Sequence, residues 1–137
     1  MVVFWEKLET EEEELDVARQ SRGELKVESI LRSAGLAYEK EYIFKDLVAS
    51  SGRELRFDFA VFEDDGETVA FLIEYQGEQH YKAVGHFNGK QGLHRQQYND
   101  RQKRLFCLEH NIPLVIIPYW DYDNLDYDYI INKANYL

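Results

Sequence analysis

Residues 55–81 read LRFDFAVFEDDGETVAFLIEYQGEQHY. From Leu55 to Phe62 apolar and other residues alternate, with Leu55, Phe57, Phe59 and Val61 on one side and Arg56, Asp58 and Ala60 on the other. That period of two predicts a strand. Asp64, Asp65 and Gly66 supply a hairpin turn. Residues 68–76 then predict a second strand of the hairpin, nearly continuously apolar from Val69 to Ile73 and so expected to be covered on both faces. Two acids interrupt this pattern. Asp58 stands inside an apolar strand and Glu74 near the end of one. Burying a carboxylate costs several kcal/mol unless it is paired or holds a cation.

Positions 58 and 74 are equidistant from Gly66. A turn centred there sets the two acids directly opposite on one face, with Cβ atoms about 5 Å apart. A two-residue Asp65-Gly66 turn sets them on opposite faces, so the juxtaposition requires an odd-numbered loop or a bulge. Two like charges side by side are unfavourable without a cation between them, and carboxylate oxygens are the ligands Mg²⁺ or Mn²⁺ prefers. The alternative is an ion pair of each acid with Arg56 or another base at the sheet edge.

Outward from the hairpin, residues 22–34 predict a helix whose buried stripe is Val27, Ile30, Leu31 and Ala34, stopped by Gly35. Glu24 borders that stripe, either facing the sheet or closing a capping box with Ser21. Residues 38–44 predict a strand with Tyr38, Tyr42 and Phe44 on one face. Residues 77–95, rich in glycine and histidine, predict a loop, and 96–110 a helix with Tyr98, Leu105 and Leu108 as core contacts. Asn111 and Pro113 end that helix before a short buried strand, 114–118. The order is αβββαβ. Its final strand–helix–strand step predicts a parallel pair, hence an α/β fold with a mixed sheet flanked by helices. His80 follows the Glu74 strand closely and has the chemistry of a general acid or base. Asp100 either orients His80, binds a second metal, or pairs at the surface with Lys103 or Arg104.

The 137 residues suit one domain, 19–137, preceded by an acidic arm or helix, 1–18. In that arm Glu11 to Glu14 form an acidic run, and Thr10 with Glu13 fits a capping box. With 45% hydrophobic residues a core can form, and no apolar run approaches the roughly 20 residues of a membrane helix. One cysteine, Cys107, excludes an internal disulfide and a Cys-built zinc site. With no leader pattern at the start, a cytoplasmic location is expected. The net charge of −10 by itself opposes nucleic-acid binding. It is unevenly spread: residues 1–18 carry −6 and 41–80 carry −7, whereas 19–40 carry +2 and 81–112 carry +4. The basic segments are either phosphate contacts or solvated helix faces.

Taken together, Gly23-Glu24, Leu55 to Phe59, Glu74 to Tyr81, Asp100-x-x-Lys103, Ile112-Pro113 and Pro118-Tyr119 resemble the PD-(D/E)XK nuclease superfamily. The closer resemblance is to its branch related to very-short-patch-repair endonucleases and phage-borne EDxHD homing endonucleases. It spans about residues 22–120. It implies a restriction-endonuclease-like core and metal-dependent hydrolysis of phosphodiester bonds in nucleic acid, DNA foremost, in a phage- or mobile-element-related protein. By position it implies catalytic roles for Glu24, Asp58, Glu74, His80 and Asp100, with Asp58, Glu74 and Glu24 holding Mg²⁺ or Mn²⁺. Gln76, Gln79, Lys82, Arg101, Lys103 and Arg104 are the expected substrate contacts, joined by Lys90 and Arg95. Gln76 stands where the superfamily usually has lysine, so Lys103 or His80 would have to supply that function. No proline precedes Asp58 in the pattern's place. Two other readings stay open: a binding module of the same fold without cleavage, acting in a larger complex, and an acidic DNA mimic. The acidic arm is expected either to limit nonspecific DNA binding or to meet a protein partner.

Overall fold

The computed structural model describes residues 21–49, 51–81 and 89–135. A helix, α1, is described over residues 21–33. It is followed by β1 (Tyr38–Val48), β2 (Glu54–Phe62), β3 (Val69–Gln76), a short 3-10 turn (Glu78–His80), α2 (Gly89–Glu109), β4 (Leu114–Pro118), a second 3-10 segment (Tyr119–Asn124) and α3 (Tyr127–Asn135). The predicted arm, residues 1–18, lies outside the described residues. Among the described residues no helix is long and apolar enough to cross a membrane.

The strands form one mixed sheet in the order β1-β2-β3-β4. β1, β2 and β3 are antiparallel neighbours, while α2 carries the chain over to β4, parallel to β3. Helices cover both faces. Val27 and Leu31 of α1 and Ile130 of α3 pack on Phe59, Val61, Phe71, Ile73, Tyr75, Val115 and Ile117. On the other face Phe106 and Cys107 of α2 pack on Leu47, Leu55, Phe57, Ala60 and Leu72. β3 therefore buries alternate residues on opposite sides, which is why its sequence is almost uniformly apolar.

The hairpin register is set at its turn. The Asp65 carboxylate accepts the backbone N–H groups of Glu67 (2.9 Å) and Thr68 (2.8 Å), and Gly66 adopts φ +71°, a conformation that favours glycine. Phe59 faces Ile73, Ala60 faces Leu72 and Val61 faces Phe71; the register then shifts between Val61 and Phe62. That irregularity is the bulge the opposed acids require, and the next pair along would be Asp58 and Glu74.

Three expectations are corrected. First, Leu55 and Phe57 do not share a face with Phe59 and Val61; the two pairs belong to opposite cores. β1 divides in the same way, Tyr38 joining the α1 side and Tyr42 and Phe44 the α2 side. The change falls at Glu41, whose φ of +53° turns the strand over between the pairs Lys40–Phe59 and Tyr42–Phe57. Second, α2 begins at Gly89, so the predicted loop 77–95 is in part helix. Gly89 and Gly92 read as breakers, but a glycine inside a helix costs only about 1 kcal/mol. Third, Tyr98, Leu105 and Leu108 are not core contacts: they are 43%, 46% and 74% exposed, while Asp100, Lys103, Phe106 and Cys107 face inward. α2 turns polar residues toward the sheet because partners wait for them there. Its end is as expected, with Asn111 at φ +55° after the last turn.

Candidate active site

Past the Phe59–Ile73 pair, the ladder between β2 and β3 gives way to side chains. The Asp58 carboxylate accepts the Tyr75 backbone N–H at 2.7 Å, and the Asp58 N–H is donated to Glu74 Oε1 at 3.3 Å. Each acid thus takes a donor from the opposite strand where the strands part. This explains how an apolar strand tolerates them, since a buried N–H left without an acceptor would cost about 1–3 kcal/mol. Glu74 is 4% exposed and its Oε1 also receives Lys103 Nζ at 3.0 Å. Lys103 reaches it from α2, its ammonium 5.5 Å from the centre of the Phe57 ring. Neither acid pairs with Arg56, which is exposed.

The two carboxyls strain against their charge. Burial, then the charges of Glu74 and Glu24, hold the Asp58 carboxyl well above the usual carboxylate range, against the Tyr75 N–H and Lys103. Burial also raises Glu74, offset by the charge and hydrogen bond of Lys103 and then by His80, with Asp100 adding to the rise. Glu24 on α1 is thus within electrostatic reach of Asp58, on the side of the sheet opposite α2. Ser21 lies within the helix rather than at its cap.

Gly23 is the reason α1 sits so close. A methyl group on its Cα would overlap the Tyr75 ring, which is 3% exposed and has little room to move. Gly23→Ala is therefore expected to destabilise the chain by about 1–3 kcal/mol, measured by chemical denaturation. An unchanged midpoint would show that α1 is not held by this contact.

A second pair lies beside the first. His80 Nδ1 is 2.9 Å from Asp100 Oδ2, both residues being buried, and Asp100 Oδ1 accepts the Gln96 amide at 3.3 Å. A carboxylate only accepts, so Nδ1 carries the hydrogen and a neutral His80 keeps its lone pair on Nε2. Asp100 is thus buried against His80 rather than paired at the surface with Lys103 or Arg104. Gln76, also buried, accepts the Tyr81 hydroxyl at 2.7 Å. Cys107, close by, has its thiol pushed up to about 12 by burial and then by Glu74, so it is no nucleophile at neutral pH.

Glu24, Asp58, Glu74, His80, Asp100, Gln76 and Lys103 are therefore brought into one neighbourhood. Lys103 is buried in an ion pair, whereas Arg101, Arg104, Lys90 and Arg95 are exposed on α2. Lys82 and the side chain of Gln79 lie outside the described residues. Sequence reading missed Gln96 and Tyr81. Gln96 stands four residues before Asp100 on a helix, a spacing that brings side chains together. Nothing local marked Tyr81 as a partner of Gln76.

No group of three or more His, Cys, Asp or Glu among the described residues is already arranged to hold a metal ion. The donor chemistry nevertheless fits a hard divalent cation. Asp58 Oδ1 and Glu74 Oε2 accept no hydrogen bond among the described residues, and Glu24 adds a third carboxylate nearby.

The chain is 32% identical over 111 residues to uncharacterized protein 094L of Frog virus 3, a match covering 76% of this chain and 68% of that protein. It is 44% identical over 48 residues to uncharacterized protein 307L of Invertebrate iridescent virus 6, covering 34% of this chain and 24% of that protein. It is 38% identical over 53 residues to uncharacterized protein 033L of Invertebrate iridescent virus 3, covering 38% and 27%. The matches to these last two span about a quarter of their length. No protein-family model matches the chain, and no solved structure matches it significantly.

Proposed function

The chain belongs to the same family as uncharacterized protein 094L of Frog virus 3, and from its own site we propose that it is a metal-dependent endonuclease with a restriction-endonuclease-like core, hydrolysing phosphodiester bonds of nucleic acid, DNA foremost. The observation that carries this is the pair of half-buried Asp58 and buried Glu74 at the parting of β2 and β3, with Lys103 on one acid and the His80–Asp100 couple alongside. A structural ion pair needs one acid and one base. Here two acids are forced together at a cost, with a histidine and its orienting carboxylate beside them.

Asp58 and Glu74, with Glu24 behind them, would hold Mg²⁺ or Mn²⁺. When bound, such an ion polarises a phosphoryl oxygen and lowers the pKa of a coordinated water. Lys103 neutralises part of the acid pair and takes the place of the lysine that Gln76 does not provide. His80, fixed by Asp100 through Nδ1, moves a proton at Nε2, either from the attacking water or to the departing oxygen. The exposed Arg101 and Arg104 offer phosphate contacts.

The test is incubation with labelled duplex, single-stranded and branched DNA, and with RNA, in Mg²⁺, Mn²⁺ or EDTA. Cutting in metal and none in EDTA is expected. His80→Ala should slow it about 10²–10⁴-fold. Asp100→Asn should slow it by a similar factor, because Gln96 retains the amide oxygen and the amide N–H then donates to Nδ1, leaving the hydrogen on Nε2. A folded protein that cuts nothing under any condition would instead favour a binding module of the same fold.

A further inference from the structure

Three aromatic rings gather where β3 and β4 end. In the parallel pair Gln76 is level with Pro118. Tyr119 and Trp120 follow Pro118 directly, and Tyr81 follows His80. The Tyr81 and Trp120 rings are 4.6 Å apart between centres at 54°, and Tyr119 lies 5.9 Å from Tyr81 and 5.2 Å from Trp120. Tyr119 is half-buried against the α1-side core, which seats the cluster, while its other two rings face outward: Trp120 is 59% exposed and Tyr81 37%.

The cluster is also tied to the candidate active site. The Tyr81 hydroxyl donates to Gln76 Oε1 at 2.7 Å, two residues beyond Glu74 on the same strand. His80, which joins Tyr81 to the 3-10 turn, is held by Asp100. An indole kept in water costs hydration energy that folding usually avoids. A tryptophan braced by two tyrosines, one of them anchored to a buried glutamine, presents a pre-ordered π surface. A paired base inside a duplex has both faces covered by its neighbours and cannot use such a surface, whereas an unpaired base can.

We infer that Trp120, braced by Tyr81 and Tyr119, is a stacking platform for an unpaired nucleobase beside the phosphate the acid pair would act on, so that the substrate is single-stranded nucleic acid or carries a single-stranded segment there. This rests on the nuclease reading for the identity of the ligand. Its test reads binding, not cutting.

A mixed-sequence single-stranded 12-mer, as DNA and as RNA, is titrated into the full chain in EDTA and in Ca²⁺ at low ionic strength, alongside a duplex of the same sequence. Tryptophan fluorescence and competition are read. Quenching by at least one single strand is expected, with weaker binding of the duplex. Read by competition, Trp120→Ala should lose about ten-fold in single-strand affinity, leaving the duplex unchanged, while Trp120→Phe recovers most of that affinity; the quench itself is read on the wild type, since either substitution removes the indole. Circular dichroism checks that the exposed substitution leaves the fold intact. No quench by either single strand, or equal losses for single strand and duplex in Trp120→Ala, overturns the platform. Trp120-dependent binding by a chain that never cuts keeps the platform and removes the nuclease. Cutting of single strands untouched by Trp120→Ala does the reverse.

Discussion

Asp58→Asn will reduce metal-dependent cutting by about 10³-fold or more and, in the same molecule, raise the melting temperature of the metal-free protein. The two effects have one cause. The Asp58 carboxyl is held well above the ordinary carboxylate range by burial and by the neighbouring charges of Glu74 and Glu24. A folded-state pKa above the unfolded one means that the folded chain binds more protons between the two values. Stability from this group is complete below the unfolded value, near 3.8, and is lost as pH rises through the folded value. Wherever Asp58 is ionised it therefore works against the fold. Asparagine keeps an oxygen for the Tyr75 N–H and removes the charge. A proposed metal ligand is lost with it, and a barrier raised by about 4 kcal/mol corresponds to the stated rate loss. Melting curves in EDTA at pH 5 and pH 8 should show the wild type losing stability toward pH 8 more than the variant does. Added Mg²⁺ should stabilise the wild type and not Asp58→Asn. A variant that melts lower in EDTA, or that still cuts, would sink this account.

Lys103→Met is expected to have the opposite balance. Its ammonium meets Glu74 Oε1 at 3.0 Å, with both groups buried. Removing one member of such a pair leaves a buried charge without a counter-ion and costs about 3–5 kcal/mol, whereas replacing both members with neutral groups is often close to neutral. Lys103→Met alone should lower stability by that amount in urea. The loss should shrink as pH falls, since a protonated Glu74 needs no cation. Lys103→Met with Glu74→Gln should recover most of the stability and none of the activity. The double variant thus separates a structural role of the pair from a chemical one. A single-variant cost below about 1 kcal/mol would mean that solvent, not Lys103, satisfies Glu74.

The elements with strong local periodicity were legible before any coordinates. Val27 and Leu31 marked α1, the alternation from Leu55 to Phe62 marked β2, and the apolar run before Glu74 marked β3. Each of these rests on neighbours in sequence, which is where such signals live. The acid pair was legible for a related reason: a hairpin is local, so the separation of Asp58 and Glu74 from Gly66 carried their juxtaposition, with the Val61–Phe62 bulge that it required. The faces of α2 were not legible. Tyr98, Leu105 and Leu108 follow an apolar pattern yet lie outside, because the inner face is claimed by Asp100 and Lys103.

The sequence by itself determined the αβββαβ order as far as residue 118, the mixed sheet and the two carboxylates set across a hairpin, from local periodicity, turn signals and the strand–helix–strand step; α3 (Tyr127–Asn135) was not among the predicted elements. Only the tertiary structure decided which basic residue serves the acid pair and which acid holds His80. Lys103 and Glu74 are 29 residues apart, and His80 and Asp100 are 20 apart. Their meeting depends on where α2 is laid down on the sheet, which the long-range packing of Phe106 and Cys107 against Phe57 and Leu72 fixes. The same holds for Trp120. Whether it is buried or presented to solvent beside Tyr81 is set by the parallel register of β3 and β4, a contact that no window of sequence contains.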